Sequence, residues 1–220
     1  MDKPTKTIKR FALFGASGRT GIPLIKQGLA AGYEIKAFVR DPAKLTLSDP
    51  QLHPVQGNAM NWADVERCVV GTDAVISVLG HVPGEDTPEN MQTAATRHII
   101  KAMRDHGIKR FVSLTGAGVP APGDRPKWSD RLVRFMLKTT QRKSIGDAEN
   151  HFEVIQAYTD IEWVVVRGPM LTEDPATGSI RVGLLGDDVG MRLTREDLAA
   201  FILEQLQDDQ WVHRAPVISN

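Results

Sequence analysis

Residues 11–21 read FALFGASGRTG, an apolar run followed by Gly15, Gly18 and Gly21 at intervals of three. Glycines alone mark only a turn that needs positive φ. The flanks decide more. RFALF has the consecutive apolar positions of a strand covered on both faces, and GIPLIKQGLAAG, behind the glycines, has helical period. Strand, glycine turn and helix in that order place backbone N–H groups and a helix N-terminus against a pyrophosphate. Gly15 then allows the tight turn, Gly18 the close approach of a phosphate, and Gly21 the packing of helix on strand. Ser17, Arg19 and Thr20 stand ready as further donors.

The same alternation continues outward. EIKAFV, DAVISVLG, KRFVSLTG and IEWVVV (161–166) are short, apolar and rich in β-branched residues, while NMQTAATRHIIKAMRDHG and the stretch around AENHFEVIQAY carry helical period. With a third strand ending before Asn58, six parallel strands are accounted for by residue 166. The expected fold is α/β: one Rossmann-like, doubly wound, mainly parallel sheet with helices on both faces, forming a single domain over 1–220. In the tail, LTREDLAAFILEQL predicts a helix that starts at Thr194 and Asp197 and buries Leu198, Phe201, Ile202 and Leu206, with a last short strand in HRAPVIS. The irregular stretch 116–128 is long for a connection, and the substrate side is expected in 116–142 and 169–190.

Composition narrows the function classes. Twenty-seven basic residues balance 27 acidic ones, so no overall positive field draws the chain to nucleic acid or an anionic membrane. Cys68 stands alone, and neither CxxC nor HxxxH occurs, so the sequence has no metal-ligand spacing and suits a reducing cytoplasm. MDKPTKTIKR has no apolar core, and no later run approaches the roughly 18 residues that span a bilayer. Oligomeric state leaves no mark on the sequence.

The end of the second strand points to the dinucleotide. An acid about 20 residues beyond the motif holds the ribose 2′-hydroxyl of NAD, whereas an Arg there accommodates a 2′-phosphate. AFVRDPAKL puts Arg40 at that place, with Arg19 and Lys44 as neighbours; Asp41, before Pro42, reads as the N-cap of a short helix. NADPH is therefore the expected cofactor. Carboxyl ends of parallel strands line the crevice, so Asn58, Ala59 and Met60 should flank the adenine and Leu79, Gly80 and His81 the nicotinamide half. Thr115 closes the fifth strand, and Pro169 to Leu171 lie beyond the sixth.

FGASGRTG, VRDPAKL, DAVISVLG, RFVSLTGAGV and TREDLAAFIL, in that order, resemble the atypical short-chain dehydrogenase/reductases with an NAD(P)H-binding domain. GYEIKAFVRDPAKL and KAMRDHGIKRFV are most similar to the flavin reductase/biliverdin reductase B type. The YxxxK pair of typical members, a tyrosine acid and a lysine that lowers its pKa, is absent: four residues beyond Tyr33 and Tyr158 stand Ala37 and Glu162. Both tyrosines precede strands, at the amino edge. The lysine that epimerase-like relatives carry before the sixth strand is missing as well, and GDAENHFEV has acids and His151 there.

The resemblance implies hydride transfer from NADPH to a planar conjugated acceptor, a flavin, a biliverdin-like tetrapyrrole or a quinone, which needs no such pair. NmrA-like relatives imply a second reading, a non-catalytic NADP(H)-sensing regulator, and a sugar-nucleotide epimerase is the weakest of the three. Thr115 matches a hydroxyl position of the family, able to bond the carboxamide or the substrate, although Gly116 stands where the reductase type has serine. His81 is the second candidate catalytic group, as a histidine that titrates near neutral pH. In 124–143, Arg131, Arg134, Lys138 and Arg142 share a helical face, either a solvated surface or a rim for an anionic substrate, and Trp128 is placed either to stack on a planar ring or to join the core.

Overall fold

The structure, a computed structural model, describes residues 7–81, 87–128 and 142–220, with Arg142 described for its backbone. The apolar run before the glycines forms β1 (Arg10–Phe14), and α1 (Gly21–Ala30) follows them. Then come β2 (Glu34–Val39), a 3-10 turn (Pro42–Lys44), β3 (Leu52–Gln56), α2 (Trp62–Val69), β4 (Ala74–Ser77) and α3 (Met91–Asp105). β5 (Arg110–Gly116), α4 (Arg142–Gln156) and β6 (Glu162–Gly168) complete the expected six strands. They lie in the order β3-β2-β1-β4-β5-β6, every neighbouring pair parallel. The order reverses between β1 and β4, the switch point at which open α/β sheets form their crevice.

The tail extends this sheet. β10 (Val217–Ser219), the short strand expected in HRAPVIS, runs parallel to β6, and β8 (Arg181–Gly183) closes the edge antiparallel. The sequence carries no signal for β8, nor for the separate parallel pair β7 (Met170–Thr172) with β9 (Arg192–Thr194). Each of these strands is three residues long, too short for an alternation to register.

Consecutive apolar residues on the strands serve opposite faces. Phe11 and Leu13 pack with Leu24 and Ile25 of α1 and with Leu198 and Ile202 of α5 (Arg195–Glu204). Ala12 and Phe14 pack with Val65 of α2, Ile99 of α3 and Phe152 of α4. Both faces are thus covered, as runs without alternation require. Two helix starts also follow the expected chemistry. Thr194 accepts from the Asp197 N–H at 3.1 Å and begins α5, while the Asp41 carboxylate accepts from the Ala43 N–H at 3.0 Å with Pro42 at the first helical position. Among the described residues, no helix is long and apolar enough to cross a membrane.

Candidate functional site

Strand register puts the carboxyl ends on one edge. Phe14 pairs with Phe38 and Ser77, Ser77 with Ser113, and Gly116 with Gly168. The segments after these strands, 15–20, 78–81, 117–119 and residue 169, therefore open on the same side of the sheet. Gly15 has φ of +85°, and a Cβ there would lie 2.9 Å from the Val78 carbonyl. A Cβ on Gly21 would sit 2.3 Å from the Gly15 oxygen and 2.4 Å from the Ala16 oxygen. Gly21 is thus required by the turn's own backbone, not by helix-on-strand packing; that contact belongs to Gly28, where a Cβ would reach Ile35 Cδ1 at 3.0 Å and Phe11 Cζ at 3.3 Å.

Ser17, Gly18 and Arg19 are exposed at the turn. α1 begins behind Thr20 with no capping side chain and no acid in its first turn, so its positive end stands uncompensated by its own residues. The Thr20 hydroxyl is buried and accepts from Arg195 Nη1 at 2.8 Å. Arg195 Nε in turn donates to Glu173 at 2.8 Å, and Arg19 lies 3.9 Å from the same carboxylate.

Arg40 is exposed immediately after β2, while Asp41 is turned into its 3-10 cap. Asn58 Oδ1 accepts from the Met60 N–H at 2.9 Å, and the Ala59 carbonyl accepts from His98 at 3.1 Å. These bonds fix the turn after β3 and leave Met60 exposed. The Leu79 carbonyl accepts from Gln92 Nε2 at 2.6 Å, and Gly80 faces open space. Thr115 is buried, and its hydroxyl has no hydrogen-bond partner among the described residues. Pro169 is half-buried beyond β6.

A buried polar cluster behind this edge has no clear sequence signal. His81 Nε2 donates to Asp147 of α4 at 2.9 Å. Asp147 also accepts from the Gln92 N–H at 2.8 Å, the Thr93 N–H at 3.0 Å and the Thr93 hydroxyl at 2.6 Å. It thereby caps α3, whose own N-cap residue Asn90 makes no side-chain cap. Burial works to raise the Asp147 carboxyl, but the bonds from Thr93, Gln92 and His81 outweigh it and hold it below the usual carboxylate range. One turn further along α4, His151 is buried between Thr96 Oγ1 at 2.7 Å and Ser113 Oγ at 3.1 Å, and burial lowers its pKa to about 4. The i, i+4 spacing of Asp147 and His151 on α4 is the one available hint.

The tyrosines sit at the other edge. Tyr33 packs edge-on against Phe11, 5.5 Å between centroids, and Tyr158, between α4 and β6, lies under the Arg104 guanidinium at 5.4 Å. Trp128, in the stretch where the substrate side is expected, is 78% exposed, so it is not core. Arg131, Arg134 and Lys138 lie outside the described residues, as does the Arg142 side chain.

The sequence matches the model of a family described as NAD(P)H-binding over residues 15–209. That span covers the glycine turn, all the crevice segments and α5. The chain belongs to this NAD(P)H-binding family. An uncharacterized chloroplastic protein of Arabidopsis thaliana is 29% identical over 186 residues, 81% of this chain and 65% of that protein. The chain thus spans just under two thirds of that relative's length. The oxidoreductase ylbE of Lactococcus lactis superposes with a TM-score of 0.78 at 19% identity, over 96% of this chain and 90% of that one. A wide-type short-chain dehydrogenase/reductase of Veillonella parvula, solved in complex with NADP, gives 0.76 at 16% identity, over 97% and 95%. At these identities the likeness shows the fold alone, a Rossmann-like α/β architecture. For an NAD(P)H-binding protein the residues fit: backbone glycines leave room at the turn, α1 presents an uncapped positive end, and the Thr115 hydroxyl has no partner among the described residues.

Proposed function

We propose that this chain is an NADPH-dependent oxidoreductase of the flavin/biliverdin reductase type, acting on a planar conjugated acceptor such as a flavin, a tetrapyrrole or a quinone in the cytoplasm. The observation that carries the reading is the glycine turn at the switch point with Arg40 following the neighbouring strand, on an edge from which both tyrosines are absent. When bound, the dinucleotide supplies a hydride. The turn from Gly15 to Gly21, with Ser17, Arg19 and Thr20, holds the pyrophosphate; Arg40 meets the 2′-phosphate; Asn58, Ala59 and Met60 flank the adenine. Leu79, Gly80, Thr115 and Pro169 line the nicotinamide half, with the Thr115 hydroxyl on the carboxamide. Such a site works mainly by proximity, holding donor and acceptor in contact.

A sensing role of the NmrA-like kind is the second reading, favoured by the same absence of a tyrosine acid at the crevice. Turnover separates the two. Purified protein is assayed for NADPH oxidation against flavins, biliverdin, quinones and aldehydes, with NADPH affinity measured in parallel. Oxidation with a conjugated acceptor and none with aldehydes supports the reductase; tight binding with no turnover across the panel overturns it in favour of the sensor.

A further inference from the structure

The reductase reading leaves open which group delivers the proton that accompanies the hydride. Two-electron reduction of a conjugated acceptor takes one hydrogen as hydride and needs a second as a proton at the atom where charge develops. His81 follows β4 on the crevice edge, and its side chain is 16% exposed, accessible without being freely solvated. Its Nε2 is tied to Asp147 at 2.9 Å, and Nδ1 meets no partner among the described residues.

The character of Asp147 makes this more than a surface pair. Its side chain is 1% exposed, and both oxygens are engaged: Oδ1 by the Thr93 N–H and hydroxyl, Oδ2 by the Gln92 N–H and His81. Three of these donors belong to α3 and hold the carboxylate against turning, while the contact with His81 orients the imidazole. The amino end of α3 faces the same carboxylate and keeps it ionised. A buried carboxylate fixing one nitrogen of a histidine while the other faces a reactant is how an imidazole is made a directed proton donor.

Resting on the reductase reading, we infer that His81 is the proton donor of this site and that Asp147 is its positioning residue. The acceptor gains two electrons and one hydrogen as hydride from NADPH, which is oxidised to NADP+. The second hydrogen passes as a proton from the imidazolium of His81, which regains one from water. Asp147 stays ionised throughout and pairs with the ring while it is charged.

Two measurements test this. In the cofactor-free protein, nitrogen NMR at high pH should find the neutral His81 ring protonated on Nε2. Asp147→Asn should move that proton to Nδ1, because an amide oxygen kept on the Thr93 N–H and hydroxyl puts the NH2 group in the place of Oδ2, facing Nε2. A wild-type ring protonated on Nδ1, or no change in the variant, overturns the positioning role. In turnover, His81→Gln should lower kcat by roughly 100-fold with the KM for NADPH within about twofold, the size of a lost general acid. Asp147→Asn should lose most of that factor, and the double variant should be no slower than His81→Gln alone, since the two act as one unit. Multiplying losses overturn the coupling, and an unchanged kcat in His81→Gln overturns the donor while leaving the reductase reading intact. A wild type that reduces nothing overturns both. Should Asp147→Asn fail to fold, the wild-type tautomer and His81→Gln still decide.

Discussion

Arg167 and Asp124 form a bidentate ion pair inside the protein, with Nη1 and Nη2 each 2.7 Å from a carboxylate oxygen. Arg167, on β6, is fully buried, and its guanidinium also donates to the Val119 and Ala215 carbonyls at 2.9 and 2.8 Å. Asp124 accepts in addition from the Ala121 and Leu185 N–H groups at 2.8 and 3.0 Å. One pair thus ties the irregular 116–128 stretch to the sheet, to the chain before β10 and to the turn after β8. Removing one partner strands a buried charge. Asp124→Ala is expected to lose about 3–5 kcal/mol in urea unfolding, whereas the apolar pair Arg167→Met with Asp124→Leu should recover part of it. A single variant as stable as the wild type would refute the pin.

That pair marks where sequence reading stops. The frame is legible because β1, β2, β4, β5 and β6 are consecutive apolar runs and local pattern carries that information, whereas β3, LHPVQ, is mostly exposed and is no such run. Arg167 ends one such run in WVVVRG, and nothing nearby in the sequence indicates that it meets an aspartate 43 residues earlier. His81 and Asp147 are 66 apart, and their pairing is hidden for the same reason. The glycine turn is legible in kind, yet spacing alone gives Gly21 the wrong neighbour, since the crossing of carbonyl oxygens over it appears only once the turn is folded.

His151 gives a pH dependence with a definite sign. Burial, only partly opposed by the charge of Asp147, lowers its pKa from 6.5 to about 4. Between those values the unfolded chain takes up a proton that the folded one does not, so stability rises with pH across this window and is lost as pH falls. The full effect is about 3 kcal/mol. His151→Gln should flatten the curve of unfolding free energy between pH 4 and 6.5 relative to wild type. The buried carboxylates Asp124, Asp147 and Asp197, all held below their usual range, act at lower pH, where their contributions are lost on protonation.

Two glycine replacements should differ in sign. Gly21→Ala drives a Cβ into two backbone oxygens, and is expected to destabilise by about 1–3 kcal/mol and to weaken NADPH binding as the turn shifts. At Gly146, in α4, a Cβ would meet nothing within 4 Å, so Gly146→Ala should stabilise by about 0.5–1 kcal/mol through helix propensity. Thermal unfolding and NADPH titration of both variants check the contrast. Equal effects would contradict the geometry of the turn.

With both tyrosines at the amino edge, the reductase reading expects them to be dispensable for chemistry. Replacing Tyr33 and Tyr158 together by Phe keeps the rings that pack against Phe11 and Arg104 and removes only the hydroxyls. Turnover by the folded double variant should stay within about twofold of wild type. A loss approaching that of a general acid would place one of them in the reaction.

The proposed preference for NADPH rests on Arg40. Asp41 is occupied in capping the 3-10 turn, with its carboxylate on the Ala43 N–H, so the acid adjacent to the ribose position is drawn away from it. On the NADPH reading, the cationic side chain of Arg40, exposed after β2, is the group expected to distinguish a 2′-phosphate from a 2′-hydroxyl. A charge-assisted bond to phosphate is worth about 1.5–3 kcal/mol, or roughly 10- to 100-fold in Kd. Arg40→Ala should therefore weaken NADPH by that factor while NADH changes little, and raising ionic strength should weaken NADPH binding more in wild type than in the variant. Asp41→Ala is the counter-test: it should cost local stability through the lost cap and leave the NADPH preference in place. If it instead shifted preference between the two cofactors, Asp41 would be the ribose ligand and Arg40 a bystander.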